Sequence, residues 1–131
     1  MSPASIDQNV FAEVVRLGRV KRFVEQHYAE PLPLETAARI AGLEKTYFST
    51  FFRQKTGVGY HSWLRWIRVQ RAIELMEQRK LSITAIAFEV GFSDLRTFER
   101  AFRRFTGDCP KVIQQCHTDP SNRGKSENLK I

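Results

Sequence analysis

From about residue 19 to residue 106, apolar residues recur every three or four positions, the period of one buried face of an α-helix. Glycine and proline cut this pattern into segments. In residues 19–28 it places Val20, Phe23, Val24 and Tyr28 near one face. Pro31 and Pro33 then break the helix, because proline lacks an amide donor and restricts the residue before it. Residues 34–42 predict a short helix stopped by Gly42, since glycine accepts the left-handed conformation found just past a helix end. Residues 45–57 predict another, with Phe48, Phe51 and Phe52 inward and Gly57 as the stop. The longest predicted helix covers 60–80, with Leu64, Ile67, Ala72, Leu75 and Met76 as its interior stripe, widened by Trp63 and Trp66. Another follows over 82–91 with Ser82 as N-cap, and a further one over 94–106 capped by Ser93 or Asp94. In that last segment Phe98, Phe102 and Phe105 share one side, flanked by Leu95 and Ala101. A short terminal helix is expected from Pro110, a favoured first-turn residue. No stretch alternates polar and apolar residues as a strand would. The expected fold class is therefore all-α with about seven helices, residues 1–18 forming an N-terminal arm and the polar tail 117–131 disordered.

The pattern also repeats. Ala37, Ala38 and Gly42 return 49 positions later as Ile86, Ala87 and Gly91, and Phe48, Phe52 and Gly57 return 50 positions later as Phe98, Phe102 and Gly107. A small residue in a first helix, a glycine turn and an aromatic-lined second helix make a helix-turn-helix unit. Two such units are expected, at 34–57 and 82–107, joined by the connector helix 60–80. The second helix of each unit exposes its outer face, as such helices do to the DNA major groove. At 1.5 Å per residue, a 21-residue connector would span about 32 Å, close to the roughly 34 Å turn of B-DNA. Both second helices could then enter successive major-groove segments on one side of a duplex.

Charge fits this picture. The 131-residue chain carries 21 Lys and Arg against 14 Asp and Glu, a formal net charge of +7, which favours a polyanionic partner. Residues 91–107 hold four arginines, and Arg96, Arg100, Arg103 and Arg104 gather opposite the phenylalanines. Taken alone, that face reads as solvated surface; beside two helix-turn-helix units in a basic chain it reads as a DNA-binding face. The remaining chemistry is sparse. His27, His61 and His117 are scattered, with His61 expected at the surface, and no carboxylate pair, nucleophile with a base, or phosphate-cradling loop is visible, so neither catalytic residues nor a cofactor are expected. The two cysteines, Cys109 and Cys116, lack metal-ligand company and read as reduced thiols, so no metal site is expected. The start has no basic stretch followed by an apolar one, and no run of 18 apolar residues occurs; a cytoplasmic protein with no membrane association is expected.

Three segments carry a family resemblance: "LETAARIAGLEKTYFSTFFRQKTG" (34–57), the connector positions Leu64, Arg68, Ala72, Leu75 and Met76, and "ITAIAFEVGFSDLRTFERAFRRFTGDCP" (83–110). Residues 19–116 resemble the DNA-binding domain of the AraC/XylS family of bacterial transcription regulators. The resemblance implies a bilobal, seven-helix domain that binds promoters, usually as an activator that contacts RNA polymerase. It places Thr46, Ser49 and Thr50 of the first recognition helix, and Leu95, Arg96 and Arg100 of the second, near base edges. Arginine can pair with guanine O6 and N7, and leucine can touch a thymine methyl. Lys45, Arg53, Arg103 and Arg104 fall where phosphates are contacted, which positions a protein without reading sequence. For Arg68 an internal salt bridge is favoured over DNA contact. The chain departs from the family at Thr50, where many members carry arginine, and at 110–115, where "PKVIQQ" replaces a common proline-to-aromatic ending. With about eighteen residues before the first helix, the chain resembles the single-domain members or a DNA-binding fragment of a longer regulator. Two different reading helices in one chain lead us to expect monomeric binding to a non-palindromic site. The competing reading is an adapter or anti-activator that keeps the fold but binds RNA polymerase or another regulator.

Overall fold

The glycines, prolines and short polar residues that punctuate the sequence act as helix ends in the structure. The computed structural model describes residues 15–111, and among these it has six helices and no strand. They are α1 (Val15–His27), α2 (Leu34–Ala41), α3 (Lys45–Thr56), α4 (Tyr60–Gln78), α5 (Ile83–Glu89) and α6 (Leu95–Thr106). The short helix expected after Pro110, the first fourteen residues of the expected arm and the tail 117–131 lie outside the described residues, apart from the start of that helix at Pro110 and Lys111.

The repeat is present in the backbone hydrogen bonds. After α2, Gly42 takes φ 73°, its amide donates to the Arg39 carbonyl (3.0 Å), and the Leu43 amide reaches back to Ala38 (2.9 Å). After α5, Gly91 takes φ 105°, its amide donates to Phe88 (3.1 Å), and the Phe92 amide to Ala87 (3.0 Å). Both turns thus satisfy the last helical carbonyls in the same way, which requires a residue that tolerates positive φ. The second helices are capped alike: the Glu44 carboxylate accepts from the Tyr47 amide (3.1 Å), and Asp94 accepts from the Thr97 amide (2.7 Å). At their ends, Thr56 and Thr106 are buried, and each hydroxyl donates to a carbonyl four residues back, Phe52 (2.8 Å) or Phe102 (2.9 Å). Ser82 is the cap expected from the sequence, and of the two candidates Ser93 and Asp94 it is Asp94 that caps α6, whereas Glu44 and both threonines were not expected.

Several boundaries and faces differ from expectation. Helix α1 already runs from Val15, inside the expected arm, because Leu17 lies three residues before Val20 on the same stripe and is fully buried. Helix α4 ends at Gln78 rather than at 80. Arg79 turns left-handed (φ 58°) and its amide closes a tight turn on Met76 (3.2 Å), which a continuing helix forbids. Its 19 residues amount to about 28 Å instead of 32 Å. Helix α5 is confined to 83–89 by Ser82, whose hydroxyl accepts from the Ala85 amide (3.1 Å), and by the Gly91 turn. Within α4, Val69 and Ile73 are buried beside the expected stripe, while Leu75 and Trp66 are only half-buried.

The chain divides into two compact units between Arg65 and Trp66, inside α4. In the first, α1 packs on α2 and α2 on α3. Its centre is aromatic: Phe52 lies 5.7 Å from Phe48, 5.9 Å from Tyr60 and 5.4 Å from Trp63, centroid to centroid. Such tilted pairs suit the ring quadrupoles. The Tyr60 hydroxyl donates to the Leu32 carbonyl (3.0 Å), tying the α1–α2 loop to the start of α4. Phe51, expected inward, is half-buried and stacks instead on the exposed Tyr47 (6.2 Å). In the second unit α5 packs on α6, and Phe98 lies between Phe92 (5.3 Å) and Phe102 (5.6 Å). Ile86, Ala87, Phe98, Phe102 and Phe105 are all buried there.

The caps make stability pH-dependent. The Thr97 amide and hydroxyl hold the Asp94 carboxyl below its ordinary value, and the Thr46 and Tyr47 amides do the same for Glu44. A carboxylate whose folded pKa is depressed stabilises the fold fully above its unfolded value, and that stabilisation is lost as pH falls through the folded one. The thermal midpoint is therefore expected to drop as pH is lowered below about 4. Asp94→Asn with Glu44→Gln keeps neutral acceptors at both caps and should flatten this acid limb; an equally steep decline in the double variant would exclude the caps as its cause.

Candidate nucleic-acid interface

The matched registers of α3 and α6 define two outward faces. Residues 48, 52 and 56 of α3 are buried, as are 98, 102 and 106 of α6. Opposite them, Thr46, Ser49, Thr50 and Arg53 are exposed together on α3, and Arg96, Arg100, Arg103 and Arg104 on α6. The 50-residue offset pairs Thr46 with Arg96, Thr50 with Arg100 and Arg53 with Arg103. The first face thus offers two threonine hydroxyls where the second offers two guanidinium groups.

Two of the expected site residues sit elsewhere on the wheel. Leu95 is half-buried at the apolar edge, in angular line with Phe102 and Thr106 rather than within the arginine face. Its counterpart Lys45 is exposed but engaged, with its ammonium 2.7 Å from a Glu35 carboxylate oxygen on α2. That contact holds the Glu35 carboxyl below its ordinary value and Lys45 above its own. The Arg104 guanidinium carbon stands 5.9 Å from the Phe105 ring centroid, a contact on its own helix. Arg68, for which an internal salt bridge was expected, has its guanidinium carbon 5.9 Å from the ring of Phe92, a cation–π arrangement within the second unit. His61 is exposed in the first turn of α4, as expected. Cys109 is an exposed free thiol.

The sequence reading overlooked one acid. Glu99 is exposed on α6, at the position matching Ser49 and between Arg96 and Arg100. Helical period alone would have found it, since it lies three residues after Arg96 and four before Arg103. Asp94, just ahead of the helix, is also near this face, and Arg100 adds a small favourable field to its amide bonds. Among the described residues, no helix is long and apolar enough to cross a membrane.

A chain built of two capped helix-turn-helix units with exposed second helices has known relatives. Residues 37–115 match a protein family described as a helix-turn-helix domain. The Msm operon regulatory protein of Streptococcus mutans is 31% identical over 99 residues, covering 76% of this chain and 36% of that protein. The transcriptional activator RhaS of Escherichia coli is 29% identical over 112 residues, covering 86% of this chain and 40% of that protein. The chain therefore spans well under half the length of these two relatives. Among solved structures, the DNA-binding domain of AdpA, a global transcriptional factor in complex with a target DNA, is similar with a TM-score of 0.69 at 29% identity. That match covers 82% of this chain and 91% of the AdpA chain. The chain belongs to the AraC-type family of helix-turn-helix DNA-binding transcription regulators.

Proposed function

We propose that this chain binds promoter DNA sequence-specifically as a monomer, with α3 and α6 entering successive major-groove segments of a non-palindromic site. The observation that carries this reading is the pair of matched frames, each leaving the outer face of its second helix exposed with different side chains. Thr46, Ser49, Thr50, Arg96 and Arg100 meet base edges, with Leu95 at the margin against a thymine methyl. Lys45, Arg53, Arg103 and Arg104 hold phosphates, Lys45 exchanging Glu35 for the duplex. The regulated output is activation, through contact with RNA polymerase in the bacterial cytoplasm. The similarity to a protein described as a transcriptional activator supports this direction. The DNA-binding domain begins with α1 at Val15, four residues before the expected start at 19, and runs on to about residue 116.

Selection of bound sequences from a random duplex pool, followed by footprinting and mass measurement of the complex, tests the reading. A symmetric footprint filled by two chains would refute the monomeric mode. Single substitutions separate the roles. Arg100→Ala is expected to relax preference at one or two base pairs and weaken the selected site by about 1–3 kcal/mol, the worth of a paired guanine contact. Thr50→Ala should cost less, because one hydroxyl bonds to several bases. Arg103→Ala should weaken all duplexes alike. If Thr50→Ala loses more specificity than Arg100→Ala, the arginine face is a phosphate clamp rather than the main reader.

A further inference from the structure

Of the arginines outside α3 and α6, three share one side of α1. Arg16, Arg19 and Arg22 are exposed on α1. At three-residue spacing they cover one third of its circumference, clear of the buried side made by Leu17, Val20 and Val24. Among the described residues the acids nearest in sequence have other partners: Glu25 pairs with Lys21 at 3.3 Å, and Glu30 with His27. Among the described residues no carboxylate forms an ion pair with any of the three arginines. Three like charges at this spacing repel one another, and a polyanion would offset them. From Arg16 to Arg22 the helix rises about 9 Å. Phosphates rise about 3.4 Å per nucleotide along the duplex axis, so a ridge laid along that axis covers two or three nucleotide steps of one strand. The guanidinium fork suits each of them.

We propose that this α1 ridge is a third DNA contact, which grips two or three backbone phosphates beyond the bases read by α3 and α6. The proposal rests on the DNA-binding reading above and adds a sequence-neutral clamp to it. Each phosphate neutralised contributes about 0.9 to the slope of log affinity against log salt. The test uses the full chain and a duplex selected from a random pool, titrated between 50 and 200 mM salt beside a duplex of scrambled sequence. The triple variant R16Q/R19Q/R22Q should flatten the slope by about 2–3 and shrink the salt-induced loss of affinity by about 10–40-fold, equally for both duplexes. Glutamine has nearly the helix propensity of arginine, so α1 should persist, and each single variant should remove about 0.9 of slope if the triple one misfolds. The charge-preserving variant R16K/R19K/R22K should keep the wild-type slope. An unchanged slope in the glutamine variants overturns the ridge, as does a loss confined to the selected duplex, or a lysine variant as weak as the glutamine one. Each of these outcomes leaves the DNA-binding function standing, and an unchanged slope points to an acidic protein partner for α1. A wild-type chain without affinity for any duplex would overturn the function and the ridge together.

Discussion

Raising salt from 50 to 200 mM is expected to weaken binding of the selected duplex by about 10³–10⁵. The cations we propose as phosphate ligands are Lys45 and Arg53 on α3 and Arg103 and Arg104 on α6, all exposed, together with the α1 arginines. Neutralising about six to ten phosphates releases as many condensed counterions, and added salt opposes their release. Lys45 tempers the effect, because it must leave Glu35, 2.7 Å away in the free chain, before it can serve a phosphate. Glu99 tempers it further by placing one negative charge on the α6 face. Equilibrium titration at four or five salt concentrations measures the slope directly. A flat response would favour the competing reading, an adapter that keeps the fold and binds a protein, since protein contacts lack a condensed counterion atmosphere.

Phe102→Ala is expected to destabilise the chain by about 3–5 kcal/mol. Phe102 is fully buried, packed 5.6 Å from Phe98, and its carbonyl accepts the Thr106 hydroxyl at the end of α6. Truncation would remove buried apolar surface and leave a cavity that rigid neighbours fill only in part. A small domain has only about 5–15 kcal/mol in total, so the variant should lose a large fraction of its stability. Amide exchange should rise first in α5 and α6, and DNA affinity should fall with the population of folded α6. Urea unfolding compared with Arg103→Ala, an exposed neighbour expected to stay within about 0.5 kcal/mol of the parent, isolates the packing effect. A loss below about 1 kcal/mol for Phe102→Ala would mean that the inner face of α6 is not closely packed.

The sequence by itself determined the helical architecture, the duplicated unit and the two exposed outer faces of α3 and α6. Those depend on short-range physics: the 3.6-residue period puts Phe98, Phe102 and Phe105 opposite Arg96, Arg100 and Arg103, and Gly42, Gly57, Ser82 and Asp94 act within a turn of themselves. What only the tertiary structure decided depends on who lies across the gap. Phe51 and Ala101 occupy the same register, yet Ala101 is buried while Phe51 is half-buried against Tyr47. A helical wheel gives the direction of a side chain but not whether another element covers it. Lys45 likewise looked like a ready phosphate ligand until α2, ten residues back, brought Glu35 to it. The same holds for the end of α4, where no glycine or proline announces the left-handed turn at Arg79. Local signals set helices and faces; partners, edges and the last residue of a helix follow from contacts between segments that the chain order does not display.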